Sequence, residues 1–198
     1  MTDDPKEPTR RMPRAQRREQ ILAAATRAFA RAGGFAPTSL DDVAAEAGVT
    51  RMILYRHFDS KDALYRAVLD RAGTRMYEAT TVDGEITEDT VPYMLHWAAA
   101  EPDGFRLLFH HAAREPDYRA DIDEAREAMI AVLRPMMSEY TDSEAWAGWG
   151  ARLATIMVVE SIMAWLDAGQ PDPDLAVDRV LLAVDGIYNA LRDSPGPR

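Results

Sequence analysis

Residues 39–58, SLDDVAAEAGVTRMILYRHF, set small and apolar residues where two short helices must cross closely. Ser39 stands at a helix start: its hydroxyl can accept from orphan backbone N–H groups, Asp42 holds the reciprocal capping position, and Asp41 complements the positive helix end. Val43, Ala44 and Ala47 form the inward stripe, with Ala44 small enough to admit a second helix. Gly48 supplies a turn residue free to take positive φ, Val49 plugs the corner, Thr50 is placed to cap the next helix, and Leu54 and Phe58 at i and i+4 anchor it. Arg51, Met52, Tyr55, Arg56 and His57 are left facing outward. A helix-turn-helix with such groups at the start of its second helix suits the base edges and phosphates of a duplex major groove.

The net charge of −10 runs against that reading until it is divided along the chain. Of 23 Lys/Arg and 33 Asp/Glu, the first 71 residues hold 13 and 10, net +3, and the remainder 10 and 23, net −13. One end is suited to phosphates and the other is not. Arg10, Arg11, Arg14, Arg17 and Arg18 cluster ahead of the first helix, as a basic arm that follows a backbone or enters a minor groove, or as a solvated tail. Arg outnumbers Lys 21 to 2, a codon bias of GC-rich bacterial genomes. There is no cysteine, which removes disulfides and thiolate chemistry. The N-terminus is charged and Pro-bearing without an apolar h-region, and the longest apolar run, Leu153 to Leu166, is interrupted by Glu160, so a soluble cytoplasmic protein with no membrane partner is expected.

The head resembles the DNA-binding domain of the TetR family of bacterial transcriptional repressors. The resemblance runs from about Arg17 to about Leu69 and rests on RREQILAAATRAFARAGGF, TSLDDVAAEAGVT, LYRHF and SKDALYRAVL. It implies an all-α chain: a three-helix helix-turn-helix DNA-binding domain over 15–60 after a flexible basic arm, 1–14, then a larger helical ligand-binding and dimerisation domain over 61–192 and a disordered tail, 193–198. Where family members often carry Gly and a small or hydroxylated residue before the Leu-Tyr pair, this chain has Met52 and Ile53, which points to a thymine methyl or to packing. The candidate DNA contacts are Thr38, Ser39, Thr50, Arg51, Met52, Tyr55, Arg56, His57 and Lys61. Arg51, Met52, Tyr55 and Arg56 are the base-edge candidates, and Thr38, Arg51, Tyr55, His57 and Lys61 the phosphate and positioning group. Lys61 opposes the dipole of the helix it opens, an arrangement that makes sense beside a phosphate.

Beyond the head, helical spacing predicts elements at about 88–100, 102–114, 116–140, 143–168 and 174–192, with Pro135 ending or kinking its helix. Met94, Trp97, Phe105, Phe109, Met129 and Met157 are candidates for a ligand-lining set, the competing reading being plain core. Glu160, a carboxylate inside IMVVESIMAWL, must reach solvent, pair, or meet a cationic ligand. The last two helices are apolar over more than one face, and the resemblance implies that they pack on a second copy as a four-helix interface. Trp149, Leu153, Ile156, Val159, Val177, Leu181, Val184 and Ile187 are the candidate interface residues.

His96, His110, His111, Glu101 and Glu115 invite a metal or hydrolase reading, but adjacent histidines point about 100° apart on a helix and no paired-ligand motif occurs. No catalytic residue, metal or cofactor is expected. The expected function is a homodimeric repressor that binds a palindromic duplex operator and is released by a small apolar or amphipathic effector. The alternative is a small-molecule-binding protein or enzyme on a helical body with a non-functional head; a regulator without an effector, or an activator, is a third reading.

Overall fold

A computed structural model describes residues 12–87 and 89–192. The arm residues Arg10 and Arg11 and the tail 193–198 lie outside the described residues. Among the described residues nine α-helices run in order: α1 (Arg14–Ala32), α2 (Leu40–Ala47), α3 (Arg51–Tyr55), α4 (Lys61–Thr80), α5 (Thr90–Ala100), α6 (Pro102–Arg106), α7 (Pro116–Met137), α8 (Glu144–Asp167) and α9 (Pro173–Arg192). Between α6 and α7 lie a π turn, Leu107–His111, and a 3-10 turn, Ala112–Arg114.

The head forms around α1, whose Ile21, Leu22, Ala25 and Phe29 are buried against Val43, Ala44 and Ala47 of α2, Leu54 of α3 and Leu64, Tyr65 and Val68 of α4. Gly33 and Gly34, at φ +95 and +113, end α1 in a conformation that a Cβ would penalise. The Gln20 amide donates to the carbonyl of Ala47 at 3.0 Å, satisfying one orphan acceptor at the end of α2. This core continues into the body, taking in Leu107, Ala112 and Tyr118. Five residues apart, Leu107 and Ala112 would diverge by about 140° on an α-helix; the π turn brings both to the head core.

A second core packs α5 and α6 on α8 and α9 through Leu95, Trp97, Phe105, Ile162 and Val180. A third joins α7, α8 and α9 through Ile130, Met137, Ala151, Ile187 and Leu191. Gly150 lets these side chains pack closely, since a Cβ would lie 2.8 Å from Leu191 Cδ1 and 3.4 Å from Met137 Sδ and both would have to move. By length and composition α8 could span a bilayer, yet its Ala151, Ala154, Val158, Val159 and Ile162 are buried inside the bundle. Pro135 neither ends α7 nor lies outside it: the helix continues to Met137, although the proline has no N–H to donate to the Ala131 carbonyl.

Candidate functional site

The turn between α2 and α3 is built from the groups its sequence predicts. Ser39 Oγ accepts from the Asp42 N–H at 3.1 Å, and Asp42 Oδ2 accepts from the Ser39 N–H at 2.8 Å and from its hydroxyl at 2.6 Å. The Ser39 hydroxyl, then its N–H, hold the Asp42 carboxyl below the usual carboxylate range. Gly48 is left-handed at φ +63, and the Val49 N–H reaches back to the Ala44 carbonyl at 3.0 Å, closing α2. Leu54 and Phe58 are buried, so α3 shows its other face to solvent.

On that face Met52 is 66% and Tyr55 48% exposed, alongside exposed Arg51 and Arg56. Without DNA, Arg51 bridges Asp41 of α2 at 3.3 Å and donates to the Tyr55 hydroxyl at 3.3 Å. Both partners are exposed and worth little in water, so exchange for a base edge or phosphate costs little. His57 lines a concavity with Met12, Arg14, Arg17, Ile53 and Arg56. Its Nδ1 is enclosed without a partner among the described residues, and burial, followed by Arg14, Arg18 and Arg17, pushes the imidazole below its ordinary value.

Three placements depart from the sequence reading. Thr38 is buried and its hydroxyl donates to the Gly34 carbonyl at 2.7 Å, so it holds the turn from inside and cannot meet a phosphate. Thr50 starts α3 by backbone position alone, with no side-chain cap; its exposed hydroxyl remains free. Arg14, Arg17 and Arg18 belong to α1 rather than to an arm, and Arg18 stacks on Phe58 at 5.1 Å. Lys61 lies 4.2 Å from the centre of the Phe35 ring and 3.5 Å from the Ala36 carbonyl, and burial pushes its ammonium down while Glu115 and Asp42 oppose that.

The body holds a cavity of about 200 Å³ between α5, α7, α8 and α9. Met94 and Met129 line it, together with Val91, Leu133, Met136, Met137, Val158, Val159, Leu181 and Val184. Trp97, Phe105, Phe109 and Met157 do not: the first two are buried in the second core, Phe109 packs against that core, and Met157 packs against the third. Glu160 is exposed on α8, which answers its charge with water and removes it from the cavity. Of the polar lining groups, Thr155 donates to the Ala151 carbonyl at 2.9 Å and Thr90 to the Thr80 carbonyl at 3.1 Å. The Thr87 hydroxyl accepts from the Asp89 N–H at 3.3 Å, and Asp185 and Tyr188 are the other polar side chains of the lining; burial, then Tyr140 and Asp185, push the Tyr188 phenol up.

Exposed apolar side chains stand on the solvent faces of α8 and α9. Trp149 and Ile156 are exposed there, with Leu153 partly buried. Val159, Val184 and Ile187 instead point inward and are spent on the chain's own core, while Leu181 lines the cavity and Val177 packs on the second core. Trp146, on α8, and Leu182, 69% exposed on α9, are further exposed apolar side chains, and Leu182 does not stand among the interface residues expected from sequence.

Residues 21–68 match the family model for bacterial regulatory proteins of the tetR family. Over 178 residues, 85% of this chain and 81% of that protein, the chain is 32% identical to the HTH-type transcriptional activator FasR of Mycolicibacterium smegmatis. The chain belongs to the TetR family. It is therefore a DNA-binding transcriptional regulator with a helix-turn-helix head. It is also 29% identical over 119 residues, 58% of this chain and 62% of that protein, to the HTH-type transcriptional repressor SCO4008 of Streptomyces coelicolor. The same fold occurs in a TetR-like regulator from Rhodococcus sp. RHA1, with a TM-score of 0.77 at 22% identity over 91% of this chain and 98% of that one.

Proposed function

We propose that the chain works in the bacterial cytoplasm as a homodimer that binds a palindromic operator and loses it when a small, mainly apolar effector fills the body cavity. The observation that carries this reading is the apolar cavity walled by the same helices, α8 and α9, that present the exposed Trp149, Ile156 and Leu182. Exposed apolar side chains of that kind on a soluble domain suit a second copy, and two copies set two recognition helices for two half-sites. Base edges fall to Arg51, Met52, Tyr55 and Arg56, and phosphates to Ser39, Thr50, His57 and Lys61, with Arg14 and Arg17 extending the basic surface. An operator that overlaps a promoter makes the protein a repressor released by its effector.

The effector's chemistry follows from the lining. Four methionines and the aliphatic walls favour an extended apolar body, and the Asp185 carboxylate and Tyr188 phenol among them favour a neutral or cationic head over a carboxylate. In calorimetric titration 1-decanol and decylamine bind and decanoate does not, and the first two release a duplex selected by the protein itself. Preference for decanoate would overturn this assignment. Replacing both Trp149 and Leu182 by Glu yields monomers in analytical ultracentrifugation and cuts operator affinity by at least about tenfold through lost effective concentration. A double variant that sediments as a dimer would place the interface elsewhere.

A further inference from the structure

We infer that Glu115 is the positioning residue through which α7 ties the body cavity to the DNA-binding head, a route additional to α4; this rests on the effector reading above. Glu115 precedes α7, and its Oε1 accepts the backbone N–H of Phe35 at 2.5 Å, 80 residues away in the chain. Phe35 follows the two glycines that end α1, so the bond holds the turn that delivers α2. Space for the carboxylate exists only because residue 34 is glycine: a Cβ there would stand 2.5 Å from Glu115 Oε1.

The other carboxylate oxygen and the Tyr65 hydroxyl are both enclosed and close to each other, with no further partner among the described residues. Burial and then the nearby Glu115 carboxylate push the Tyr65 phenol up, so the charge is felt inside the head core. The next turns of α7 grip the far side of the motif. Tyr118 donates to Asp62 Oδ1 at 2.7 Å, and Asp121 pairs with Arg66 at 3.3 Å, both partners lying in the first two turns of α4 just after α3. The first turns of α7 thus hold both flanks of the recognition unit.

The opposite end of α7 carries Met129, Leu133, Met136 and Met137 into the cavity wall. The helix has 22 residues, about 33 Å of continuous rod, so a shift of its C-terminal half against an effector reappears at Glu115 as a movement of the head. No side chain beyond Glu115 is needed to pass that movement to Phe35, because the bond ends on backbone.

The test replaces the unknown effector by a cavity-filling substitution and runs a double-mutant cycle on operator affinity, read by anisotropy with the duplex that the native protein selects. Ala154 lines the cavity, and Ala154→Leu weakens operator binding at least tenfold in the native background. In Glu115→Ala the same substitution has an effect at least threefold smaller than in the native background, the remainder passing through α4 and its contacts with Tyr118 and Asp121. Glu115→Gln restores the response, since its amide oxygen still accepts from Phe35. An equal Ala154→Leu effect in native and Glu115→Ala proteins overturns the role of Glu115 alone. No Ala154→Leu effect in the native protein overturns the effector reading, and the lever with it.

Thermal unfolding of each variant confirms that it is folded. Should Glu115→Ala fail that check, Gly34→Ala displaces the carboxylate, with Gly33→Ala as its control. Gly33 is also left-handed, at φ +95, but a Cβ there would meet nothing within 4 Å, so Gly33→Ala carries the strain without the collision. Coupling lost in Gly34→Ala and kept in Gly33→Ala supports the assignment; coupling kept in both overturns it.

Discussion

The recognition unit and the cavity differ in how far along the chain their determinants are spread. From Ser39 to Phe58, cap, stripe, turn glycine and anchors all fall within one short stretch, and each acts on a neighbour a few residues away. The cavity instead draws Thr90, Met129, Thr155 and Tyr188 from four separate helices, and no local rule connects them. A function that depends on reading one backbone geometry can be held by short-range chemistry. One that depends on a void needs several helices to agree on where not to touch.

The largest expected effect that sharpens this contrast is on stability. Leu54, enclosed by the head core, loses about 3 kcal/mol on truncation to Ala, whereas Met129→Ala on the cavity wall loses about 1 kcal/mol because it already borders empty space. Denaturant unfolding measures both, and equal losses would erase the distinction. Next come the base contacts. Arg51→Ala and Arg56→Ala each relax discrimination among operator variants by about 1–3 kcal/mol, while Lys61→Ala lowers affinity for all duplexes alike. Competition binding against single-base variants separates the two behaviours, and a uniform loss in all three proteins would sink the division of roles.

Caps give a smaller but paired test. Ser39→Ala in the head costs about 1 kcal/mol, because its hydroxyl serves both halves of a reciprocal cap. Ser143→Ala in the body costs only about 0.5 kcal/mol, since that hydroxyl accepts one longer bond, at 3.4 Å, from Trp146. Thermal denaturation of the two variants should keep that order.

The smallest effect is the pH dependence of His57. In the free protein burial and three arginines hold its imidazole below the ordinary value, so the folded chain binds fewer protons than the unfolded one just below neutrality and is destabilised as pH falls. A phosphate placed beside it raises that value and makes DNA binding take up a proton. Operator affinity therefore rises about twofold as pH is lowered from about 8 to about 6, and the slope vanishes in His57→Asn. A slope unchanged in His57→Asn would assign the proton to another group.

The helix order, the reciprocal cap and the αL turn at Gly48 were legible because each is a local demand of backbone hydrogen bonding. The errors share one cause, which is that facing is decided by tertiary contacts. Thr38 turned inward because Gly34 offered an acceptor one helical turn away. Val159, Val184 and Ile187 carry the same apolar signal as Trp149 and Ile156, and only the packing of α8 on α9 sorts inner from outer. Glu115 carried no motif at all: its partner is a backbone N–H 80 residues distant, a contact that residue types cannot announce.

The most direct test of the central claim is selection of duplexes from a random library by the purified protein, followed by titration of the winner at several salt concentrations with and without 1-decanol. A palindrome bound with a steep salt slope, and released when the cavity is occupied, is the predicted result. Weak, sequence-blind binding that decanol leaves untouched would contradict it.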